Sequence, residues 1–220
     1  MGKTILTSRQ FKFLELAAKE KEIIRWYYLT GGTALAEFFL KHRLSDDIDL
    51  FTTSDVNDLE TDKIIKKASE ILKAKKITKR KISGLYTYQL IFADGSILKI
   101  DFNNYPFKQI ERGLKWRGLN IDSYYDIAVN KVNTILGRLQ IRDFIDLYFM
   151  LREEYFSLEQ LITRTEDKFN IKVDQYYLAS QFFKIIDFPR VYPKMLKPFS
   201  FEKIQEFFKK EAKRLGKSSL

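Results

Sequence analysis

What most restricts this chain is the run Tyr28-Leu-Thr-Gly-Gly-Thr-Ala-Leu-Ala36, followed after one helix length by Asp47-Ile-Asp-Leu-Phe51. Trp26 to Leu29 are aromatic and aliphatic, which predicts a buried strand. Gly31 and Gly32 end it, because glycine turns sharply without a Cβ clash. Thr33 is placed to cap a helix beginning at Ala34, and the free N–H groups at such a start can seat phosphate oxygens. Side chains alternate across a strand, so Asp47 and Asp49 share one face while Ile48 and Leu50 take the other. A phosphate seat beside paired carboxylates suits a magnesium–nucleotide complex. Each half alone has a plainer account, as an ordinary turn or a solvated polar edge; the combination is far more specific.

Gly31 to Ala36 followed by His42-Arg43-Leu-Ser45-Asp-Asp47-Ile-Asp49-Leu-Phe51 resembles the opening motif of the nucleotidyltransferase superfamily that includes DNA polymerase beta. The longer match is similar to its AbiEii/AbiGii toxin branch. This resemblance implies an α+β nucleotidyltransferase fold, with a short mixed β-sheet flanked by helices and a C-terminal helical domain. It further implies Asp47 and Asp49 as ligands of Mg2+ (or Mn2+), a nucleoside triphosphate as substrate, and a third carboxylate from a later strand. Arg43 and Ser45 lie in the loop entering the acidic strand, to contact phosphate or to orient that loop. His42 falls on a stripe with Leu35, Phe38 and Phe39, which favours a packed histidine over a catalytic base.

The chain has 220 residues, 45% hydrophobic, enough for one large or two modest domains with real cores. No run reaches the roughly 18 apolar residues of a membrane span, and the N-terminus lacks the layout of a secretory signal. Absence of cysteine excludes disulfides and thiolate chemistry, and a single histidine argues against a histidine-rich metal site. A cytoplasmic location is expected. The net charge of +10 favours polyanionic partners such as nucleic acid. It is spread evenly, with 19 basic and 14 acidic residues in 1–110 against 20 and 15 in 111–220. One concentration stands out: Lys63 to Lys81 holds nine basic residues against the single acid Glu70, as a solvated helix face or as an RNA contact.

Periodicity predicts helices from about Ser8 to Glu22 and from Thr61 to Lys75. Three strands follow, Ile77–Ile82, Leu85–Phe92 and Ile97–Asn103, the last two joined as a hairpin by Asp94-Gly95. In the third, Leu98, Ile100 and Phe102 share one face, and Lys99, Asp101 and Asn103 the other. Asp101 is therefore the candidate third metal ligand, preferred to Asp94, which the turn already explains. Residues from Asn104 to Gly118 read as a crossover, placing a nucleotidyltransferase domain at 1–110 and a helical domain closing over the active site at 111–220.

Ser123 and Asp126 resemble a capping box opening a helix to about Leu139, on which Lys131 and Arg138 lie two turns apart. A break leads to Arg142-Asp143-Phe-Ile-Asp146-Leu147. Either Arg142 and Lys131 pair with Asp143 and Asp146 to lock two helices, or Lys131 binds the triphosphate with one aspartate holding it in place. The spacing Asn130-Lys131-x6-Arg138-x3-Arg142-Asp143-Phe-x-Asp146-Leu looks like the second signature of the AbiEii branch. There the lysine and the Arg-Asp pair are implicated in nucleotide binding and activity. Beyond Phe156 the chain reads as helical, broken by Pro189, Pro193 and Pro198, with Tyr176, Tyr177, Phe182, Phe183, Phe207 and Phe208 expected in a helical core.

The function expected is transfer of a nucleotide to an acceptor, RNA such as a tRNA 3′ end, by the toxin of a toxin–antitoxin pair with a cognate antitoxin as partner. The rivals are a non-catalytic nucleic-acid-binding protein of the same fold, and transfer to a small molecule or a protein hydroxyl.

Overall fold

The computed structural model describes residues 4–153 and 155–218, which fall into two compact units, the first ending at Tyr124 and the second beginning at Tyr125. The first unit contains α1 (Ser8–Ala17), α2 (Lys21–Trp26), β1 (Tyr28–Thr30) and α3 (Gly31–Leu35), which continues into a π-helical turn, Ala36–Leu40. Then come β2 (Asp47–Thr52), α4 (Asp58–Leu72), β3 (Lys76–Ile82), β4 (Leu85–Ile91), β5 (Ile97–Asn104), β6 (Lys115–Trp116) and β7 (Leu119–Ile121). The strands form one mixed sheet in the order β3-β4-β5-β2-β1-β7-β6, with β2–β5 and β1–β7 parallel and the other pairs antiparallel.

Alternation decides which way this sheet faces. Leu29, Ile48, Leu50, Leu90, Ile100 and Phe102 are fully buried on one side. Each such side chain contributes roughly 1.5–3 kcal/mol. A one-residue slip of β2 would turn Ile48 and Leu50 outward and Asp47 and Asp49 into the core, so the register is strongly determined. The α4 helix lies on the apolar side, where Thr61 Oγ1 is 3.0 Å from the Tyr88 hydroxyl. The β4–β5 hairpin turns at Gly95, with φ +79°, as the Asp-Gly pair predicts.

Several expectations are corrected. The first helix is two, because Lys19 and Glu20 donate three residues back to Leu16 and Ala17, tightening the end of α1 before α2 restarts at Lys21. Trp26 ends α2 and is 45% exposed, so the buried strand begins at Tyr28, not Trp26. The helix after the glycines begins at Gly31 itself, and the Thr33 hydroxyl donates to the Asp47 carbonyl. The segment expected as a crossover instead adds β6 and β7 to the far edge of the sheet. Arg117 and Gly118, with φ 52° and 99°, make the tight turn between them. The first unit therefore runs past the expected boundary at 110, to Tyr124.

The second unit is helical: α5 (Tyr124–Gly137), α6 (Ile141–Leu151), α7 (Leu158–Phe169), α8 (Gln175–Phe183) with a 3-10 turn at Lys184–Asp187, and α9 (Phe201–Ser218). Phe144 centres its core, with ring centroids of Phe208 at 5.0 Å, Phe188 at 5.2 Å and Phe182 at 6.4 Å. Tyr176, Tyr177 and Phe183 do not join this core: α8 turns Leu178, Gln181 and Phe182 inward, leaving those three exposed. Lys168 and Asp126 pair at 2.6 Å with both side chains almost wholly buried, tying α7 to α5.

Candidate active site

The first unit's site is built where β1 ends against β2. Gly31 has φ +72°, and a Cβ there would occupy the space of the Asp49 carboxylate. Only glycine permits both the turn and the close approach. A Cβ on Gly32 would meet Arg43 Nη2 at 2.6 Å and Ser45 Oγ at 2.9 Å. Both glycines thus lie directly against residues read as phosphate or metal contacts. Arg43 is 2% exposed, with Nη1 donating to the Leu44 carbonyl at 2.9 Å. His42 is fully buried, as the packed reading predicts.

Parallel pairing of β2 with β5 sets Asp47 opposite Lys99 and Asp49 opposite Asp101, and paired residues in a sheet point the same way. Asp47, Asp49 and Asp101 therefore share the face away from the apolar layer. Lys99 stands among them, its Nζ 3.2 Å from Asp47 Oδ2 and 2.8 Å from Asp101 Oδ2. Partial burial pulls this ammonium down, but the Asp101 hydrogen bond and the charges of Asp101 and Asp47 outweigh it, leaving the lysine above its ordinary pKa. Asp94 lies instead in the β4–β5 turn, where hydrogen bonds from Ser96 and Arg9 draw its carboxyl down to about 2.

Among the described residues no set of three histidine, aspartate or glutamate side chains encloses a single ion position. The donors nevertheless fit a divalent ion in kind. Three carboxylates on adjacent strands offer the hard oxygen ligands that magnesium takes. Asp101 is 7% exposed, and its Oδ1 is buried with no hydrogen-bond partner among the described residues. A carboxylate oxygen in that state is costly unless something cationic completes it. Lys99 shows that a cation between Asp47 and Asp101 is already favoured.

Other residues brace this arrangement through contacts distant in sequence. Gln10, 3% exposed, donates from Nε2 to the carbonyls of Ser45 at 2.7 Å and Asp46 at 3.1 Å, pinning the loop before β2. Asp122, fully buried, accepts from Thr30 Oγ1 at 2.7 Å and from Gln109 Nε2 at 2.6 Å. It holds the residue just before the glycine turn. Lys99 was readable as a polar-face residue, but its position among carboxylates needed the β2–β5 register.

The second signature is assembled inside the second unit. Lys131 Nζ is 2.7 Å from Asp143 Oδ1 and 2.6 Å from Asp146 Oδ2, and Arg138 Nε is 3.4 Å from Asp143 Oδ2. Lys131 is 7% exposed and both aspartates are fully buried, while Arg138 is exposed and Arg142 half-buried at the start of α6. Lys131 therefore locks α5 to α6 as the ion-pair account has it, and a second cation at Asp143 is Arg138.

Comparison with known proteins bears on the family and the fold. The family model described as "Nucleotidyl transferase AbiEii toxin, Type IV TA system" matches residues 15–216. An uncharacterised protein of Aquifex aeolicus (strain VF5) is 28% identical over 189 residues, 85% of this chain and 86% of that one. Among solved structures, a Helicobacter pylori protein described as a nucleotidyltransferase superposes with a TM-score of 0.62 at 19% identity, covering 97% of both chains. JHP933 from Helicobacter pylori superposes with a TM-score of 0.59 at 20% identity, covering 97% of this chain and 94% of that one. At these identities the solved structures show the nucleotidyltransferase fold.

Proposed function

Since the chain belongs to the AbiEii nucleotidyltransferase toxin family of type IV toxin–antitoxin systems, we propose that it transfers a nucleoside monophosphate from a triphosphate to an RNA acceptor, in the manner of a tRNA 3′ end, with divalent-metal assistance. The observation that carries this reading is the placement of Asp47, Asp49 and Asp101 on one sheet face, with Gly31 pressed against Asp49.

In the reaction an acceptor hydroxyl oxygen bonds to the α-phosphorus, the bond from that phosphorus to the bridging oxygen breaks, and pyrophosphate leaves. Magnesium or manganese held by Asp47, Asp49 and Asp101 would supply Lewis acidity to the phosphoryl oxygens and to the attacking hydroxyl. The chain's own contributions are orientation and proton handling. Asp101 Oδ1, buried and unsatisfied among the described residues, is suited to take the hydroxyl proton. Gly31, Gly32 and Thr33 offer a tight backbone turn for phosphate oxygens, with Arg43 and Ser45 alongside Gly32. Lys99 balances the carboxylate charge and orients Asp47 and Asp101.

The second unit's role in this reading is to bind the nucleotide. Lys131 and Arg138, held by Asp143 and Asp146, and Arg142 beside them would meet the triphosphate. A cognate antitoxin is the partner that the family description implies. The +10 charge supports a polyanionic acceptor. No helix among the described residues is long and apolar enough to cross a membrane.

The test is incorporation of labelled nucleotide into total tRNA, with each of the four triphosphates in turn. Asp49→Asn is expected to lower it by at least about a hundredfold, the scale of losing a group that acts in the transition state. Incorporation by Asp49→Asn at the parent's rate would refute the assignment.

A further inference from the structure

The same sheet register carries the site further than the carboxylates. On the face that holds Asp49 and Asp101, Asp101 pairs with Thr87 on β4, and Thr87 with Arg80 on edge strand β3. One row therefore runs Asp49–Asp101–Thr87–Arg80, ending on a cation. In the next row Lys99 pairs with Gln89 and Gln89 with Thr78, whose hydroxyl is 3.3 Å from Gln89 Oε1. Thr87, Gln89 and Thr78 are half-buried, while Arg80 and Lys76 are exposed.

The basic run at the end of α4 and along β3 divides across this edge strand. Lys79 and Lys81 point to the α4 side, where Lys79 binds Asp58 and Asp62 and Lys81 lies 3.8 Å from Asp58. Arg80 and Lys76 point to the carboxylate side, and neither has an ion-pair partner among the described residues. Alternation thus separates a neutralised set of cations from an uncompensated one.

We propose that this polar face over β5, β4 and β3 is the track of the acceptor strand, with Arg80 and Lys76 holding its phosphates. The proposal rests on the nucleotidyltransferase reading and adds where the acceptor lies. The triphosphate side is taken by the glycine turn, Arg43 and Ser45, and on that side Asp49 neighbours Thr30, which leads to the carboxylate of Asp122. In the other direction the face ends on two further cations, Arg80 and Lys76, for a polyanion to meet. Strands are about 4.8 Å apart, so Arg80 stands about 14 Å from Asp49 across three steps. A stacked strand rises about 3.4 Å per nucleotide, which sets Arg80 about four nucleotides behind the reacting hydroxyl. Lys76, four residues along β3, lies about 13 Å further on. The side chains between carry hydroxyls and an amide, which bond sugar and phosphate oxygens without selecting sequence.

The test is equilibrium binding of a fluorescein-labelled single-stranded RNA dodecamer, followed by anisotropy across a salt series. Arg80→Glu is expected to weaken binding about tenfold, and Arg80→Gln about threefold while lowering the salt slope by about 0.7, one phosphate contact to a single strand. Lys66→Glu is the matched control, an exposed charge reversal on α4, and should change affinity less than twofold. Binding of labelled triphosphate should be unchanged in all three. If Arg80→Glu is no weaker than Lys66→Glu, the track is wrong and the face is left to an acidic protein segment. Nucleotidyl transfer abolished by Asp49→Asn would still stand in that case. Transfer that survives Asp49→Asn would overturn the function itself.

Discussion

Lys131 is where stability and activity can be told apart. Its ammonium is shared by two carboxylates with no exposure to water, and Arg138 reaches one of them from a half-exposed position. Lys131→Met keeps much of the stem's volume but leaves Asp143 and Asp146 buried three residues apart on α6 without that charge. Removing one partner from a buried ion pair costs about 3–5 kcal/mol, because the remaining charge has lost its compensation. For a chain of this size each kcal/mol lowers Tm by roughly 2–4 °C, so a fall on the order of 10 °C is expected. Urea unfolding followed by tryptophan fluorescence and by far-ultraviolet circular dichroism measures this. The triple variant Lys131→Met, Asp143→Asn, Asp146→Asn removes the stranded charges and should recover most of the loss. A single variant within about 1 kcal/mol of the parent, or a triple variant no more stable than the single, would refute the argument. Transfer activity then separates the roles: a refolded but inactive triple variant is expected if this cluster meets the triphosphate.

Two other perturbations probe the first unit. Gly31→Ala places a methyl where the Asp49 carboxylate lies and forces alanine to a left-handed φ. The backbone cost alone is about 1–2 kcal/mol, and triphosphate binding measured by equilibrium dialysis should fall with it. Thr30→Val deletes the hydroxyl that donates to Asp122, leaving a buried carboxylate oxygen without that bond. A loss of about 1–3 kcal/mol in urea unfolding is expected, and an unchanged midpoint would show that the bonds Asp122 keeps, those from Gln109 and the Ser123 N–H among them, are enough to satisfy it.

Much of the first unit was legible in the residues. The β4–β5 hairpin was readable because Asp94-Gly95 suits a tight turn and the flanking runs alternate strictly. The shared face of Asp47 and Asp49 follows from a period of two, whatever surrounds the strand. The β6–β7 ribbon was hidden because its strands have two and three residues, too short for any period. In the C-terminal third, helical spacing marked aromatic residues as core but gave no means of choosing between Phe182, which is buried, and Phe183, which is exposed. Gln10 closes a local capping box with Thr7 and Lys99 reaches Asp101 two residues on, but the bonds by which Asp122, Gln10 and Lys99 brace the site go to partners 92, 35 and 52 positions away.

By itself the order of residues determined the local geometry: a bend only glycine tolerates, two acids on one side of a strand, and a helical C-terminal half. These depend on backbone sterics and on side-chain periods, which act within a few residues. Tertiary structure decided that β5 lies parallel to β2 with Asp101 opposite Asp49, that Lys99 stands between two carboxylates, and that Arg80 and Lys79 face opposite sides of the edge strand. Those outcomes depend on which strands pair and in what register. The burial of Ile48, Leu50, Ile100 and Phe102 in one shared layer selects that pairing, a nonlocal interaction that no short stretch of this chain encodes alone.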